Sequence, residues 1–134
     1  MHLPTITSAY LAVLALLYTV LAVQVGRLRQ RDRAAFGDNG SLALRSAIRA
    51  HANFIEYVPI IALMVALLEM SGMSTSRVHI LMGALLVGRL IHPLGMSARP
   101  GTWQFNLGRV GGILLTVAVL VAAAVSGLIR FWPL

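Results

Sequence analysis

Near its N-terminus the chain has a long stretch without charged side chains, and this stretch restricts the folds that the chain can adopt. Residues 3–26 carry no formal charge, and about 20 consecutive apolar residues cross a bilayer as an α-helix. A secretory signal peptide would place its positive charge before the apolar run and a small-residue cleavage site after it. Here the positive charge follows the run, at Arg27, Arg29, Arg31 and Arg33. We therefore predict a retained first membrane-spanning helix.

Three further apolar segments extend this prediction to a bundle of four helices. We expect the helices at about residues 3–26, 42–70, 77–96 and 106–130, in a single domain over residues 1–134. Charged residues make up only 11% of the chain, whereas a soluble domain has about 25%. The sequence thus predicts an all-α integral membrane protein, a four-transmembrane-helix bundle, and argues against a soluble enzyme or a disordered segment.

The residue types that carry chemistry exclude several classes of site. There is no cysteine, so disulfides, iron–sulfur clusters, cysteine zinc sites and a cysteine nucleophile are excluded. The histidines have neither a spaced set of carboxylates nor an H-E-x-x-H pattern, so we expect no metal. All eleven basic residues are arginine, and they face four acids. Several arginines lie within apolar segments and no basic patch is interleaved with aromatic residues, so we expect no nucleic-acid partner.

The distribution of arginine predicts the orientation in the membrane. The loops after the first and third helices lie on one side and carry five arginines, whereas Arg77 and Arg130 lie on the other side. Positive charge accumulates in cytoplasmic loops. We therefore expect both termini outside and the arginine-rich loops in the cytoplasm.

The predicted second helix carries polar residues along one face. Arg45, Arg49, Asn53 and Glu56 are spaced by four, four and three residues, which is the spacing of one helical face. Charges at membrane depth must face protein or a water-filled cavity. Alternatively, Arg45 and Arg49 are anchors that reach the headgroup layer. His51 points to nearly the opposite side and is a weaker member of the set.

Arg89 and His92 share a face of the third helix, and Arg89 needs an anionic partner or a cavity. We expect an ion pair with Glu56, which is either structural or part of a ligand site. Several arginines in one cavity indicate an anionic ligand, because guanidinium groups suit carboxylates. Glutathione has two carboxylates, an amine and the thiol that this chain lacks. A phospholipid headgroup or another peptide would fit the same residues.

The run Arg49-Ala-His-Ala-Asn-Phe-Ile-Glu-Tyr-Val-Pro59 resembles the MAPEG family, the membrane-associated proteins of eicosanoid and glutathione metabolism. Gly88-Arg-Leu-Ile-His92 is similar to the third-helix motif of that family, and Gly26-Arg-Leu-Arg29 to the end of its first helix. The likeness covers nearly all of the chain and is strongest to small bacterial members related to the microsomal glutathione transferases.

This resemblance implies a homotrimer in a bacterial inner membrane, with glutathione bound between subunits toward the cytoplasmic side. It implies glutathione contacts by residues on the first three helices: Arg27, Arg49, Asn53, Glu56, Arg89 and His92. The catalytic arginine would be Arg109, at the start of the fourth helix, and Arg99 is the alternative. Met96 stands where several eukaryotic members have a tyrosine, and Ala52 where some have an arginine.

Three functional hypotheses follow. The first is a glutathione-dependent transferase or peroxidase that stabilises the thiolate and takes a lipophilic electrophile from the bilayer. The second is a non-catalytic protein that binds glutathione or membrane lipids. The third is a proton-coupled exporter of cationic drugs, which would need an acid in the first helix. Because residues 3–26 contain none, the sequence argues against the exporter.

Overall fold

The structure is a computed structural model that describes residues 3–132, and it is all-helical apart from short connections. The helices are α1 (Thr5–Arg31), α2 (Leu42–Met70), α3 (Thr75–Met96) and α4 (Gly112–Phe131). A π-helical segment, Phe105–Gly111, runs directly into α4. Each of the four is long and apolar enough to cross a membrane, α4 being counted with its π-helical segment. The prediction of an all-α bundle of four transmembrane helices is confirmed.

The first helix is longer than its uncharged stretch, because it continues to Arg31 instead of ending near residue 26. Arginine is a good helix former, and positive charge near a helix C-terminus interacts favourably with the helix dipole. The Arg29 side chain also donates hydrogen bonds to the carbonyls of Ala34 and Gly37, at 3.2 and 3.1 Å, and so holds the following loop. The loss of hydropathy therefore marks where the chain leaves the apolar layer and not where the helix ends.

Helices α2 and α3 form the centre of the bundle. Helix α1 packs against both of them from one side and α4 from the other, and the backbones of α1 and α4 stay apart. The core between them consists of aliphatic and aromatic side chains, including Leu14, Phe54, Ile61, Val65 and Leu85. Large apolar side chains such as those of Leu16 and Leu114 face outward, as expected of helices that contact lipid.

The four antiparallel helices give the bundle two distinct ends. The loops at residues 32–41 and 97–104 lie at one end, which we call the arginine-rich end. At this end Arg31 donates two hydrogen bonds to Asp32, at 2.6 and 3.0 Å, and they hold the pKa of Asp32 at about 2. The start of α1, the turn at residues 71–74 and the end of α4 form the other end, which we call the opposite end.

A carboxylate on α2 caps the beginning of α1. Glu69 is only 8% exposed, and it accepts hydrogen bonds from the amides of Ile6 and Thr7, both at 2.9 Å, and from the Thr7 hydroxyl at 2.7 Å. Helix α1 has no cap of its own, since Pro4 precedes it and its first turn contains no acid. The first amides of a helix lack partners within the helix and attract negative charge. Glu69 therefore joins the ends of α1 and α2.

Removing the hydroxyl of Thr7 tests this capping contact. We expect Thr7→Val to lower the free energy of unfolding by about 1.5–3 kcal/mol, which is typical of a hydrogen bond to a charged group. Thermal unfolding in detergent measures the change. Thr19→Val is the matched control, because the Thr19 hydroxyl is exposed and bonds only to the Ala15 carbonyl of its own helix. Equal unfolding temperatures for the two variants would contradict the capping role.

Candidate functional site

A buried arginine connects three of the four helices. Arg89 on α3 is 2% exposed, and its Nη1 donates to Asn53 Oδ1 on α2 at 2.6 Å. Its Nη2 donates to the Gly112 carbonyl at 3.2 Å and to the Thr116 hydroxyl at 2.6 Å, both on α4. The Thr116 hydroxyl in turn donates to the Gly112 carbonyl at 2.8 Å. The charge of Arg89 is thus stabilised by hydrogen bonds to neutral oxygen atoms. The Nε atom of Arg89 has no hydrogen-bond partner within the described residues.

The prediction of an ion pair between Arg89 and Glu56 is wrong. The only ion pairs within residues 3–132 are Arg31 with Asp32 and Arg45 with Asp38. Asn53 and α4 take both terminal nitrogens of the Arg89 guanidinium, and Glu56 is exposed on the outer surface of α2. A charge in the interior of the bundle is therefore satisfied by an amide, a hydroxyl and a carbonyl, where the sequence suggested a carboxylate.

The bond from Arg89 also orients the Asn53 side chain. Because Asn53 Oδ1 accepts from the guanidinium, its Nδ2 group is left as a hydrogen-bond donor. Asn53 is half-buried and lines a cleft at the arginine-rich end of the bundle. Arg89 does not line this cleft, so its contribution is to fix Asn53 and to place a positive charge close behind it.

The cleft brings together side chains from α2, α3 and the segment before α4. It has a volume of about 190 Å³, and no acid lies among its lining residues, which are Arg49, Asn53, His92, Met96, Arg109 and Ile113. Arg49 and Arg109 are exposed, whereas His92 is buried. Two guanidinium groups, an amide donor and an imidazole at one opening are groups that can bind an anion.

The π-helical segment sets the position of Arg109. Helices with the i→i+5 hydrogen-bonding pattern are rare and occur frequently at functional sites. Arg109 lies within the segment Phe105–Gly111, and its guanidinium carbon is 5.4 Å from the centre of the Phe105 ring. This is within the range of a cation–π contact. Arg109 therefore reaches the cleft from a backbone whose geometry differs from that of the helix it precedes.

Glycines allow this segment to approach α3 closely. A β-carbon on Gly108 would lie 2.6 and 2.7 Å from the backbone nitrogen and Cα of Gly95. One turn further, a β-carbon on Gly112 would lie 2.9 Å from the Gly88 carbonyl and from the His92 Cβ. Small residues at such crossings let helix backbones pack directly against each other in membranes. The crossing brings His92 and Arg109 to the same cleft.

Four of the seven predicted site residues line the cleft: Arg49, Asn53, His92 and Arg109. Of the other three, Arg89 lies in the network described above, and Arg27 lines a separate groove on α1 beside Val23 and Gln24. Glu56 is exposed and outside the cleft. Arg99, the alternative catalytic residue, is exposed in the loop at residues 97–104 and is not among the residues that line the cleft.

Two further polar residues of α2 have structural contacts. The Arg45 side chain donates to Asp38, and this bond, with one from the Gly40 amide, holds the pKa of Asp38 below its usual range. Arg45 therefore fixes the loop before α2 and does not enter the cleft. His51 stacks on Tyr18 of α1, with ring centroids 4.8 Å apart. This places it away from Arg49, as the helical spacing predicts.

Sequence reasoning missed the capping by Glu69 and the glycine crossing. A signal for the crossing exists in the sequence, because Gly108 and Gly112 form the G-x-x-x-G spacing that favours close helix contacts in membranes. A weaker signal exists for Glu69, because the first helix lacks a capping residue and an acid of its own. No group of three or more potential metal ligands occurs among residues 3–132.

The family model described as the MAPEG family matches residues 7–129, which include most of each helix and every residue that lines the cleft. The chain belongs to the MAPEG family. The family resemblance of the α2 and α3 motifs is thereby confirmed.

Two curated relatives of this MAPEG protein are both named "Inner membrane protein YecN". One is from Escherichia coli strain K12 and the other from Escherichia coli O6:H1. Each is 40% identical over 99 residues, which cover 74% of this chain and 76% of the relative. A search of solved structures gives no significant match. The chain is thus a multi-pass membrane protein of the MAPEG family.

An added methyl group tests the glycine crossing. Gly108→Ala should destabilise the MAPEG bundle by about 1–3 kcal/mol or more, since overpacking forces backbone atoms apart. Thermal unfolding in detergent provides the measurement. Gly26→Ala is the matched control, because a β-carbon there meets nothing within 4 Å and alanine favours a helix over glycine. We expect Gly26→Ala to be neutral or slightly stabilising. A Gly108→Ala protein as stable as the control would contradict the close packing.

Proposed function

We propose that this protein is a membrane-embedded, glutathione-dependent transferase or peroxidase that acts on a lipophilic electrophile. The observation that carries the proposal is the convergence of Arg49 and Arg109 with Asn53 and His92 at one cleft without an acid. Membership of the MAPEG family makes glutathione the anion to test first. The relatives' name further favours a bacterial inner membrane, with the arginine-rich end in the cytoplasm as the positive-inside rule predicts.

The binding role falls to Arg49 and Asn53. The exposed Arg49 guanidinium can form paired hydrogen bonds with a carboxylate, which are stronger and more directional than single ones. The Asn53 Nδ2 group supplies a further donor, because Arg89 already occupies its oxygen. The positive charge of Arg89 behind Asn53 strengthens the attraction of the cleft for an anion. Anion binding at the cleft would therefore depend on three helices, on α2 directly and on α3 and α4 through the contacts of Arg89.

The chemical role falls to Arg109. A free thiol has a pKa near 8.5 and is mostly protonated at pH 7. An opposite charge within about 4–6 Å lowers such a pKa by about 1–3 units. With its guanidinium at the cleft, Arg109 would stabilise the thiolate as it forms. The thiolate then donates an electron pair to the electrophile, forms a carbon–sulfur bond and displaces the leaving group. In the peroxidase reaction the thiolate attacks the terminal peroxide oxygen and the O–O bond breaks. The alkoxide takes a proton from water and leaves as an alcohol, and the resulting sulfenic acid reacts with a second glutathione to give the disulfide and water.

A neighbouring subunit would complete the site. The cleft of about 190 Å³ is smaller than the roughly 300–1,000 Å³ typical of small-molecule pockets. Glu56 is an acid on the outer surface of a membrane-spanning helix, and such a charge requires protein or water around it. A second copy packed against this face of α2 would enlarge the ligand site and would also surround Glu56 with protein. Together with the family resemblance, this favours the homotrimer, with Glu56 offered to the ligand's amine across the interface.

A non-catalytic binding protein is the second candidate, and one observation favours it. Met96 lines the cleft, and no hydroxyl-bearing residue does. A site without a hydroxyl lacks one of the donors that stabilise a thiolate through a hydrogen bond. In this alternative the protein holds glutathione or a lipid and does not activate the sulfur.

The thiolate absorbance of glutathione, titrated against pH in detergent, separates these candidates. We expect wild-type protein to lower the pKa of the bound thiol, and Arg109→Ala to raise it again by about 1–2 units because the nearby positive charge is lost. Glutathione affinity should change little in Arg109→Ala. In Arg49→Ala the main effect should be weaker glutathione binding.

Arg99→Ala is the matched control, since Arg99 is exposed outside the cleft. If Arg99→Ala abolishes the thiolate and Arg109→Ala does not, Arg99 is the catalytic arginine. If glutathione binds to the wild-type protein and its thiol pKa stays at the value of free glutathione, the non-catalytic hypothesis is correct.

Glu56→Gln tests the completion of the site by a second subunit. We expect the variant to assemble normally and to bind glutathione about tenfold more weakly or worse, because a charged hydrogen bond contributes about 1.5–3 kcal/mol. Isothermal titration calorimetry measures the affinity, and size-exclusion chromatography with light scattering measures the assembly. Asp38→Asn serves as the control for the loss of a carboxylate elsewhere. Unchanged affinity would remove Glu56 from the site, and failed assembly would make it a structural residue.

A further inference from the structure

The opposite end of the bundle contains a second polar cavity, far from the cleft. It has a volume of about 550 Å³ and lies between the end of α2, the turn at residues 71–74, the start of α3 and the end of α4. Its charged lining residues are Arg77 and Arg130, and no acid is among the residues that line it. Glu69, the nearby acid of α2, is already bonded to Ile6 and Thr7. Within residues 3–132, no acid therefore compensates the positive charge of this cavity.

The two arginines differ in how they are held. Arg130 donates to the carbonyl of Ser71 and, at 3.4 Å, to its hydroxyl. Gly72 follows with a φ of +92°, a conformation that favours glycine and shapes the turn against Arg130. Arg77 is exposed and forms no ion pair within residues 3–132. One guanidinium is thus fixed by the turn, and the other is available to a ligand.

The remaining lining residues have both polar and apolar character. Ser74 makes no side-chain capping bond to α3, and Ser126 adds a second hydroxyl from α4. Leu68, Met73 and Ile129 supply apolar walls. A ligand that matches these surfaces has an anionic, hydrogen-bond-accepting group next to hydrocarbon.

The position along the helices indicates where this ligand comes from. Trp132, which directly follows the last residue of α4, is 65% exposed. Tryptophan is enriched where membrane helices reach the headgroup layer. Arginine forms paired hydrogen bonds with phosphate oxygens. We propose that this cavity binds the phosphate of an anionic phospholipid, with Arg77 and Arg130 on the phosphate and Ile129 against the acyl chain.

Titration of the full-length protein with phosphatidylglycerol, read by native mass spectrometry from a neutral detergent, tests the proposal. Arg77→Gln should weaken binding of the most tightly held lipid about tenfold, which corresponds to about 1.4 kcal/mol. Arg33→Gln removes the same charge from an exposed loop at the arginine-rich end, and we expect a change of less than about twofold. Ser126→Leu should also reduce binding, because it fills the cavity and leaves both arginines in place.

The two cavity variants, the Arg33→Gln control and inorganic phosphate together test whether the cavity is a specific lipid site. If lipid binds Arg77→Gln and Ser126→Leu as it binds the wild type, the cavity is not a lipid site. If Arg33→Gln loses as much affinity as Arg77→Gln, the attraction is general to the charged protein and the proposal fails. Millimolar inorganic phosphate distinguishes the source of the phosphate. Full displacement of the lipid by inorganic phosphate would show a free-phosphate site and overturn the lipid assignment, whereas retention of the lipid supports it.

Discussion

The hydrogen bonds of Arg89 are the interaction on which the arrangement of α2, α3 and α4 depends. A guanidinium inside a membrane bundle must be satisfied by protein, because lipid offers it no partners. Arg89 finds an amide on α2 and a hydroxyl and a carbonyl on α4, so one side chain fixes three helices at the same depth. The close glycine crossing between α3 and the start of α4 makes this reach possible. The geometry of the cleft follows from this network, because Asn53 belongs to both.

Hydropathy and helical spacing predict most of the fold and part of the site. An uncharged apolar run long enough to span a bilayer has few alternatives to a helix, so the four helices follow from the sequence. The four-residue spacing of Arg49 and Asn53 correctly predicts that they share a surface, and it correctly separates His51, which stacks on Tyr18. These are local consequences of helical geometry and need no knowledge of the neighbouring helices.

The parts that sequence reasoning missed depend on contacts between helices. Arg89 needed a partner, and charge alone suggested Glu56, but the rotation of α2 turns Glu56 outward and Asn53 inward. Periodicity predicts an ordinary helix at Phe105–Gly111, whereas the crossing with Gly95 is accompanied there by a π-helix. Glu69 lies 62 residues from the Thr7 amide that it caps. Partner choice at such a distance is decided by packing, which one sequence does not display.

The dependence of Arg89 on α4 has a consequence for biosynthesis. Helix α3 leaves the ribosome before the residues that satisfy its arginine, since Gly112 and Thr116 come more than 20 positions later. An arginine at the centre of a lone membrane helix opposes insertion by about 2.5–3.5 kcal/mol. Asn53 is synthesised earlier than Arg89, but it accepts a hydrogen bond from only one of the two terminal nitrogens of Arg89. We therefore expect stable insertion of α3 to depend on α4, which is strongly apolar and supplies the remaining hydrogen-bond acceptors for Arg89 once it is synthesised.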